Sequence, residues 1–304
     1  MRGEVFDPSA LRRQPGNDRS GQAFYGLISL AVIVAFVMVG AVIWDVIQGS
    51  SDIISSRAWD FITSPSSSDP DQAGVAQGIR GSVIIAGIVM LTFPIGIGAA
   101  IYLEEYAEDT WLTRLIQVTV RNLAGVPSIV YGLLGLAVFV QSLRGLTGGR
   151  SVIAGALTLA ILVLPIVIIT AAEAIRAVPA SYRDGAYGLG ATQWETIRTQ
   201  VLPAAMPGIL TGTVLSIARA LGEAAPLLVV GASGFYTVGN NDFLEQMQGA
   251  FSALPMNISF FTTEPAATWR GNAATASLVL LVLVFLINLV AIIGRARIAK
   301  RLGR

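Results

Sequence analysis

The chain has 304 residues, 54% hydrophobic and only 13% charged, with mean hydropathy +0.68 and net charge +1. A soluble domain carries about 25% charge, so lipid is the expected solvent, and the near-neutral balance offers no field for nucleic acid. Cysteine and histidine are absent; this excludes disulfides, thiol catalysis, the common zinc sites and imidazole acid–base chemistry.

Six apolar runs are long enough to span a bilayer, at roughly 24–47, 81–103, 123–140, 152–172, 206–230 and 274–294. A spanning helix needs about 20 apolar residues, and continuous runs without alternation select helices over a barrel. The expected fold is all-α, a polytopic membrane protein of six transmembrane helices. The first run follows a tail, residues 1–23, that carries Arg2, Arg12, Arg13 and Arg19. It is too long for a signal-peptide core and reads as an uncleaved start-transfer helix. With both termini on the cytoplasmic side, the inner segments hold fourteen Arg and Lys residues. The outer loops hold five, namely Arg57, Arg80, Arg144, Arg150 and Arg270. This asymmetry supports the in/in topology.

Residues 48–80 contain "SPSSSDPDQAG" and read as a flexible outer loop. Pro94 and Pro165 are expected to interrupt the second and fourth spans. Residues 231–273 form a second long outer segment, in part apolar, with a short helix expected on or dipping into the outer face; its sequon at Asn257 reads as chance. Residues 295–304 are a basic tail. Asn288, alone in the last span, reads as helix–helix glue. Lys300 is the sole lysine, so no G-x-x-x-x-G-K-[ST] phosphate loop exists and no cofactor is expected. An ATP-driven function would borrow its ATPase from another chain.

The fifth run contains "SIARALGEAAPLLVV", with Arg219 and Glu223 one helical turn apart. Gly208, Gly212, Ser216, Arg219, Glu223 and Pro226 would form one stripe of small or polar residues. A charge at mid-bilayer costs about 2.5–3.5 kcal/mol on insertion scales. Three readings stay open: a self-neutralising pair that pins packing, an arginine that meets an anion while the carboxylate orients it, and a proton relay. Ser128, after Pro127, reads equally as a pathway hydroxyl or a helix cap.

Between the fourth and fifth spans, residues 173–205 form an inner loop. A helix is expected from about Ser181, with Ser181 as N-cap and Asp184 at its third position, then a break at Gly190 and a second helix from Thr192 with Glu195 closing a capping box. The loop resembles the EAA loop of permease subunits of bacterial ABC importers. Asp184, Gly185 and Ala186 occupy the E-A-A places, Gly190 the glycine place, and Leu202–Pro203 the closing pair. The departures are Asp184 for Glu, Gly185 for Ala and Gln200 for Ile. "IARALGEAAPLL", "GVPSIVYGLLGL", "GAAIYLEEYA" and "SALPMNISFF" are similar to the phosphate-specific branch of these permeases, over about residues 75–294.

The resemblance implies an ABC importer type I permease fold in the bacterial plasma membrane, coupled through residues 181–203 to a cytoplasmic ABC ATPase dimer. It further implies a companion permease subunit and an extracytoplasmic phosphate-binding protein as partners. Arg219, Glu223, Ser128 and Ser216 would line the substrate pathway. Relatives often carry a second Arg a few residues after the fourth-span proline, where this chain has Ile169. The alternatives are a permease for sulfate or molybdate, an intramembrane enzyme, and a structural membrane subunit.

Overall fold

The computed structural model describes residues 19–233 and 243–301. Most of the expected N-terminal tail, part of the second long outer segment and the end of the basic tail lie outside the described residues. Among the described residues every regular element is helical. Five helices are long and apolar enough to cross a bilayer, and a sharply bent pair makes a sixth if it counts as one span.

Helix α1 (Arg19–Thr63) runs well past the expected end at 47. The apolar side chains of its first half, from Phe24 to Ile47, are exposed, so lipid or another subunit must cover them. The residues to Gln48 form one compact unit and those from Gly49 onward another. The expected flexible loop 48–80 is therefore shorter than its composition suggests. Its first part is helix, and the turn that follows is tied down by Arg57. That guanidinium donates to the carbonyls of Pro70 and Ala73 and to Asn272 Oδ1, at 2.6–3.0 Å. Arg57 itself leaves helical geometry (φ −148°, ψ 35°), kinking α1.

Helix α2 (Ala76–Met90) breaks at Leu91 into α3 (Thr92–Ile101), which closes in a π-helical turn, Tyr102–Tyr106. Pro94 sits in the first turn of α3, where its missing N–H costs nothing. Helix α4 (Trp111–Ala124) and α5 (Ser128–Gly135), extended by a π-helical stretch to Ser142, meet at 103°. The expected third span, 123–140, is thus the second arm of a bent pair. Pro127 holds extended backbone (φ −55°, ψ 135°) at the corner, and Tyr131 Oη donates to the Leu123 carbonyl across it at 2.8 Å. After short α6 (Arg144–Thr147), α7 (Val152–Arg176) is the centre of the bundle. Leu159, Val163 and Val167 are buried in the main core with Ile217, Leu221 and Leu227. Pro165 lies within an unbroken α7, so the interruption expected there is absent; in a packed membrane helix, neighbours compensate the lost bond.

Helices α8 (Ala180–Gly188) and α9 (Gln193–Thr196) lead through a π-helical turn, Ile197–Val201, into α10 (Leu202–Gly222) and α11 (Ala225–Val230). Beyond α12 (Phe243–Gln248), α13 (Leu254–Thr263) is buried against α2 and α14 (Trp269–Arg301), rather than lying on a face. Phe261 stacks on Trp269 at 5.1 Å between centroids. Asn257 is fully buried, with its amide donating to Ser66 Oγ, which rules out a glycan there. Asn288 Oδ1 is buried with no hydrogen-bond partner among the described residues.

Gly208 and Gly212 bring α10 against α7: a Cβ would lie 2.8 Å from Ala174 Cβ and 2.5 Å from Thr170 Cβ respectively. Gly212→Val is expected to force the two helices apart at a cost of about 1–3 kcal/mol. It should lower the thermal midpoint of the purified complex by several degrees, read by scanning fluorimetry; an unchanged midpoint would show that the helices are not in backbone contact.

Candidate functional site

The long expected fifth span breaks at the charged pair. Helix α10 ends at Gly222, Glu223 takes extended backbone (φ −81°, ψ 106°), and α11 restarts at Ala225. "GEAAP" explains this: Pro226 lacks an N–H to continue the ladder from Gly222, and Gly222 weakens the last turn. Arg219 and Glu223 still meet, with Nε 3.4 Å from Oε1. At this length the contact is a loose ion pair. The two terminal guanidinium nitrogens have no hydrogen bond to any described residue. The Arg219 side chain is 49% exposed and that of Glu223 20%. Arg219 shares its open face with Thr211, Leu215 and Gly222.

Ser216 does not join them. It is 1% exposed, turned into the core, and donates to the Gly212 carbonyl at 2.8 Å. Gly212 likewise faces α7. The expected single stripe is therefore two faces: Gly212 and Ser216 pack, while Arg219 looks out of the chain. Ser128 opens α5, but Pro127 is the N-cap and no side-chain cap bond forms, so the capping role is absent. Gly132 packs against Pro226, and Phe139 and Val140 pack with Val230. Helices α5 and α11 thus run parallel, and Ser128 lies at the same end of this helix pair as Glu223. Ile169 lines a cleft with Arg121, Arg176, Glu104 and Glu173, where two arginines are balanced by two carboxylates.

The inner loop is a helix–turn–helix, as expected. Gly190 has φ +85°, in the left-handed region that glycine adopts freely. The N–H of Gly190 bonds to the Tyr187 carbonyl and that of Ala191 to the Ala186 carbonyl, closing α8. The capping box of Thr192 and Glu195 forms. The N–H and then the hydroxyl of Thr192, both donating to the Glu195 carboxyl, hold its pKa below the ordinary value. The helix starts earlier than expected: Pro179 is the N-cap, and Ser181 lies within the first turn without capping it. Ser181, Asp184, Gly185 and Gly190 are all exposed and Ala186 half-buried. Ser181, Tyr182, Gly185, Ala186 and Leu189 line an open groove with Gln200, and Leu189 is 91% exposed. Leu202 and Pro203 begin α10.

What fixes this loop to the spans is a pair of contacts that the sequence reading passed over. Arg183 grips Glu105 of the π-helical turn, with Nη2 2.6 Å from Oε1 and Nε also bonded. It also donates to the carbonyls of Ile175 and Val178 at the end of α7. The side chains are only 22% and 6% exposed. Gln193 of α9 donates to the backbone carbonyl of Glu105. Alongside, Arg176 pairs with Glu104. The hydrogen bond from Arg183 to Glu105 pushes the Arg183 guanidinium pKa further above its ordinary value. The signal was present as "YLEEY" and "IRAVPASYR", two acids and two arginines at the ends of two apolar runs.

Residues 92–304 match the family of binding-protein-dependent transport system inner membrane components. The chain is 34% identical to the phosphate transport system permease protein PstA 1 of Mycobacterium tuberculosis (strain CDC 1551 / Oshkosh), over 98% of this chain and 94% of that protein. It is 33% identical to the phosphate transport system permease protein PstA of Yersinia pestis, over 72% and 71%. In fold it is similar to a chain of a bacterial alginate ABC transporter in complex with a pentasaccharide-bound periplasmic protein. That match has TM-score 0.67 at 14% identity, and covers 93% of this chain and 96% of the other. A chain of the inward-facing MetNI methionine ABC transporter gives TM-score 0.55 at 18% identity, covering 78% and 100%.

Glu105→Gln should remove charge-assisted bonds to Arg183 worth about 1.5–3 kcal/mol. Amide hydrogen exchange over residues 180–201 is expected to rise about tenfold or more with the spans unaffected; exchange equal to wild type would show that the pair does not hold the loop.

Proposed function

The chain belongs to the binding-protein-dependent transport system inner membrane component family, and we infer from that membership how its residues act. It is a multi-pass permease subunit of an ABC importer for inorganic phosphate, and such importers work with an ATPase and a binding protein. In our reading it contributes half of the passage, a companion permease the other half, and the chain carries no catalytic site of its own. ATP is bound and hydrolysed by a cytoplasmic ATPase dimer, and phosphate arrives from an extracytoplasmic phosphate-binding protein. Both termini lie on the cytoplasmic side, in line with the Arg and Lys asymmetry.

One observation carries the pathway: Arg219 lies within an apolar span, looks out of its own chain, and keeps its terminal nitrogens unbonded to described residues. Hydrocarbon is the costliest surface such a group could face. A water-filled passage at the subunit interface is the environment that suits it. A guanidinium presents a planar fork of donors matched to oxyanion oxygens and stays charged at any physiological pH. Glu223 holds Nε only loosely, so the fork stays aimed while the anion is not trapped. The break at 223–224 supplies irregular backbone at membrane depth, which is tolerated where it lines a cavity. Ser128, at the same end of the α5–α11 pair, adds a hydroxyl. Ser216 acts in packing, so the pathway rests on the other three.

The exposed helix–turn–helix, with Asp184, Gly185, Ala186 and Gly190 at its surface, is the ATPase-docking element in this reading. Glu105 and Arg183 carry its displacement to the ends of α3 and α7. A proton relay has less support, because Glu223 meets a permanently charged guanidinium rather than a second titratable group.

Arg219→Gln should reduce phosphate uptake in reconstituted vesicles by about thirtyfold or more, in the range for removing one desolvated charged contact. ATPase co-purification should be unchanged, and retained uptake would sink the pathway. Gly190→Val places a β-branched residue at φ +85°, at a cost of about 1–2 kcal/mol. ATPase recovered on affinity-purified permease should fall about tenfold; full recovery with normal transport would remove the docking assignment.

A further inference from the structure

At the opposite end of the bundle from α8 and α9, an open cavity of about 700 Å³ lies between the end of the α5 extension, the α6–α7 turn and residues 248–250. Arg144 and Arg150 line it, with Gln141 and the backbone of Gly148 and Gly149 between them. Neither guanidinium has an ion pair or hydrogen bond with a described residue. The turn that carries them is built rather than loose. Thr147 is buried and donates to the Phe139 carbonyl at 2.7 Å, while the Gly149 N–H donates to Thr147 Oγ1. Ser151, also buried, caps α7 through the Ala154 N–H. Both arginine stems are seated on glycine. A Cβ on Gly231 would lie 2.6 Å from Arg150 Cδ, and one on Gly149 would lie 3.5 Å from Arg144 Cγ. Gln248 closes the side by donating to the Leu146 carbonyl.

Two like charges held by a rigid turn in one concave site repel each other and gain nothing from any described carboxylate. Such a site lowers its energy by taking an anion, and a concave cationic mouth also raises local anion concentration. The cavity touches Leu136 and Val140, on the same α5 stretch that packs along α11 directly after Glu223.

We propose that this cavity is a receiving site for inorganic phosphate, held between Arg144 and Arg150 at the mouth of the passage before it reaches Arg219. The inference rests on the pathway reading above and adds a second station to it. Among the described residues, phosphate would meet two guanidinium forks without a carboxylate paired to either, and one fork loosened by a carboxylate inside. That order lets it enter readily and still move on.

The test uses the assembled complex in lipid nanodiscs without binding protein. Wild-type complex is treated with phenylglyoxal, and modification of each arginine is read by mass spectrometry with and without inorganic phosphate. Protection of Arg144 and Arg150 is the expected result. In proteoliposomes, the Arg144→Gln/Arg150→Gln variant should raise KM for binding-protein-delivered phosphate by about tenfold with kcat little changed. Arg144→Lys/Arg150→Lys should retain most of the wild-type KM. Absence of phosphate protection would overturn the site. So would a Gln variant whose only defect is weaker docking of the binding protein, since these arginines would then meet partner carboxylates. Normal transport in the Gln variant, alongside loss in Arg219→Gln, would remove the receiving site and leave the pathway standing.

Discussion

A guanidinium cannot be deprotonated to escape an apolar environment, and it cannot be left facing lipid without cost. Arg219 is set on the outward side of α10, at the point where the fifth span loses its helical backbone. The fold around it is consistent with that single demand. Small residues on the neighbouring face draw α10 onto α7, so the span is anchored from behind by Gly208, Gly212 and Ser216. Gly132 lets α5 approach Pro226 closely, which stabilises the segment beyond the break. A charge, an interrupted helix and two backbone-to-backbone contacts form one arrangement.

Much of this was legible in the sequence, and the failures have physical causes. Five apolar runs appear as spans because hydrophobic length is the dominant signal in lipid. The third run, at 123–140, marks only the second arm of the bent pair, because α4 before it is too polar to register as an apolar run, and the extended Pro127 between them turns the chain through 103°. The stripe through Gly208, Ser216 and Arg219 failed for a finer reason. A helical face is about 100° wide, and Ser216 lies on the buried side of that boundary while Arg219 lies on the open side. Capping preference placed the start of this helix at Ser181, but α8 begins at Ala180, with Pro179 as its N-cap in extended backbone.

The acids at 104 and 105 show a different limit. Within their own segment they are a short charged run at the end of a span, and such runs are usually solvated. Their importance lies in pairing across more than seventy residues of chain, which no local pattern encodes. By contrast the capping box at Thr192 and the left-handed turn at Gly190 depend only on neighbours, and both were readable from the sequence.

Arg183 bonds at once to a carboxylate after α3, to two carbonyls ending α7, and from α8 itself. Three segments that are distant in sequence therefore share one knot, and none can shift alone without tearing it. If the loop is the docking element proposed above, a push on it would be delivered as the swing of a handle. The membrane-embedded parts would then feel torque rather than local unfolding, and work done outside the bilayer would not be dissipated at its surface.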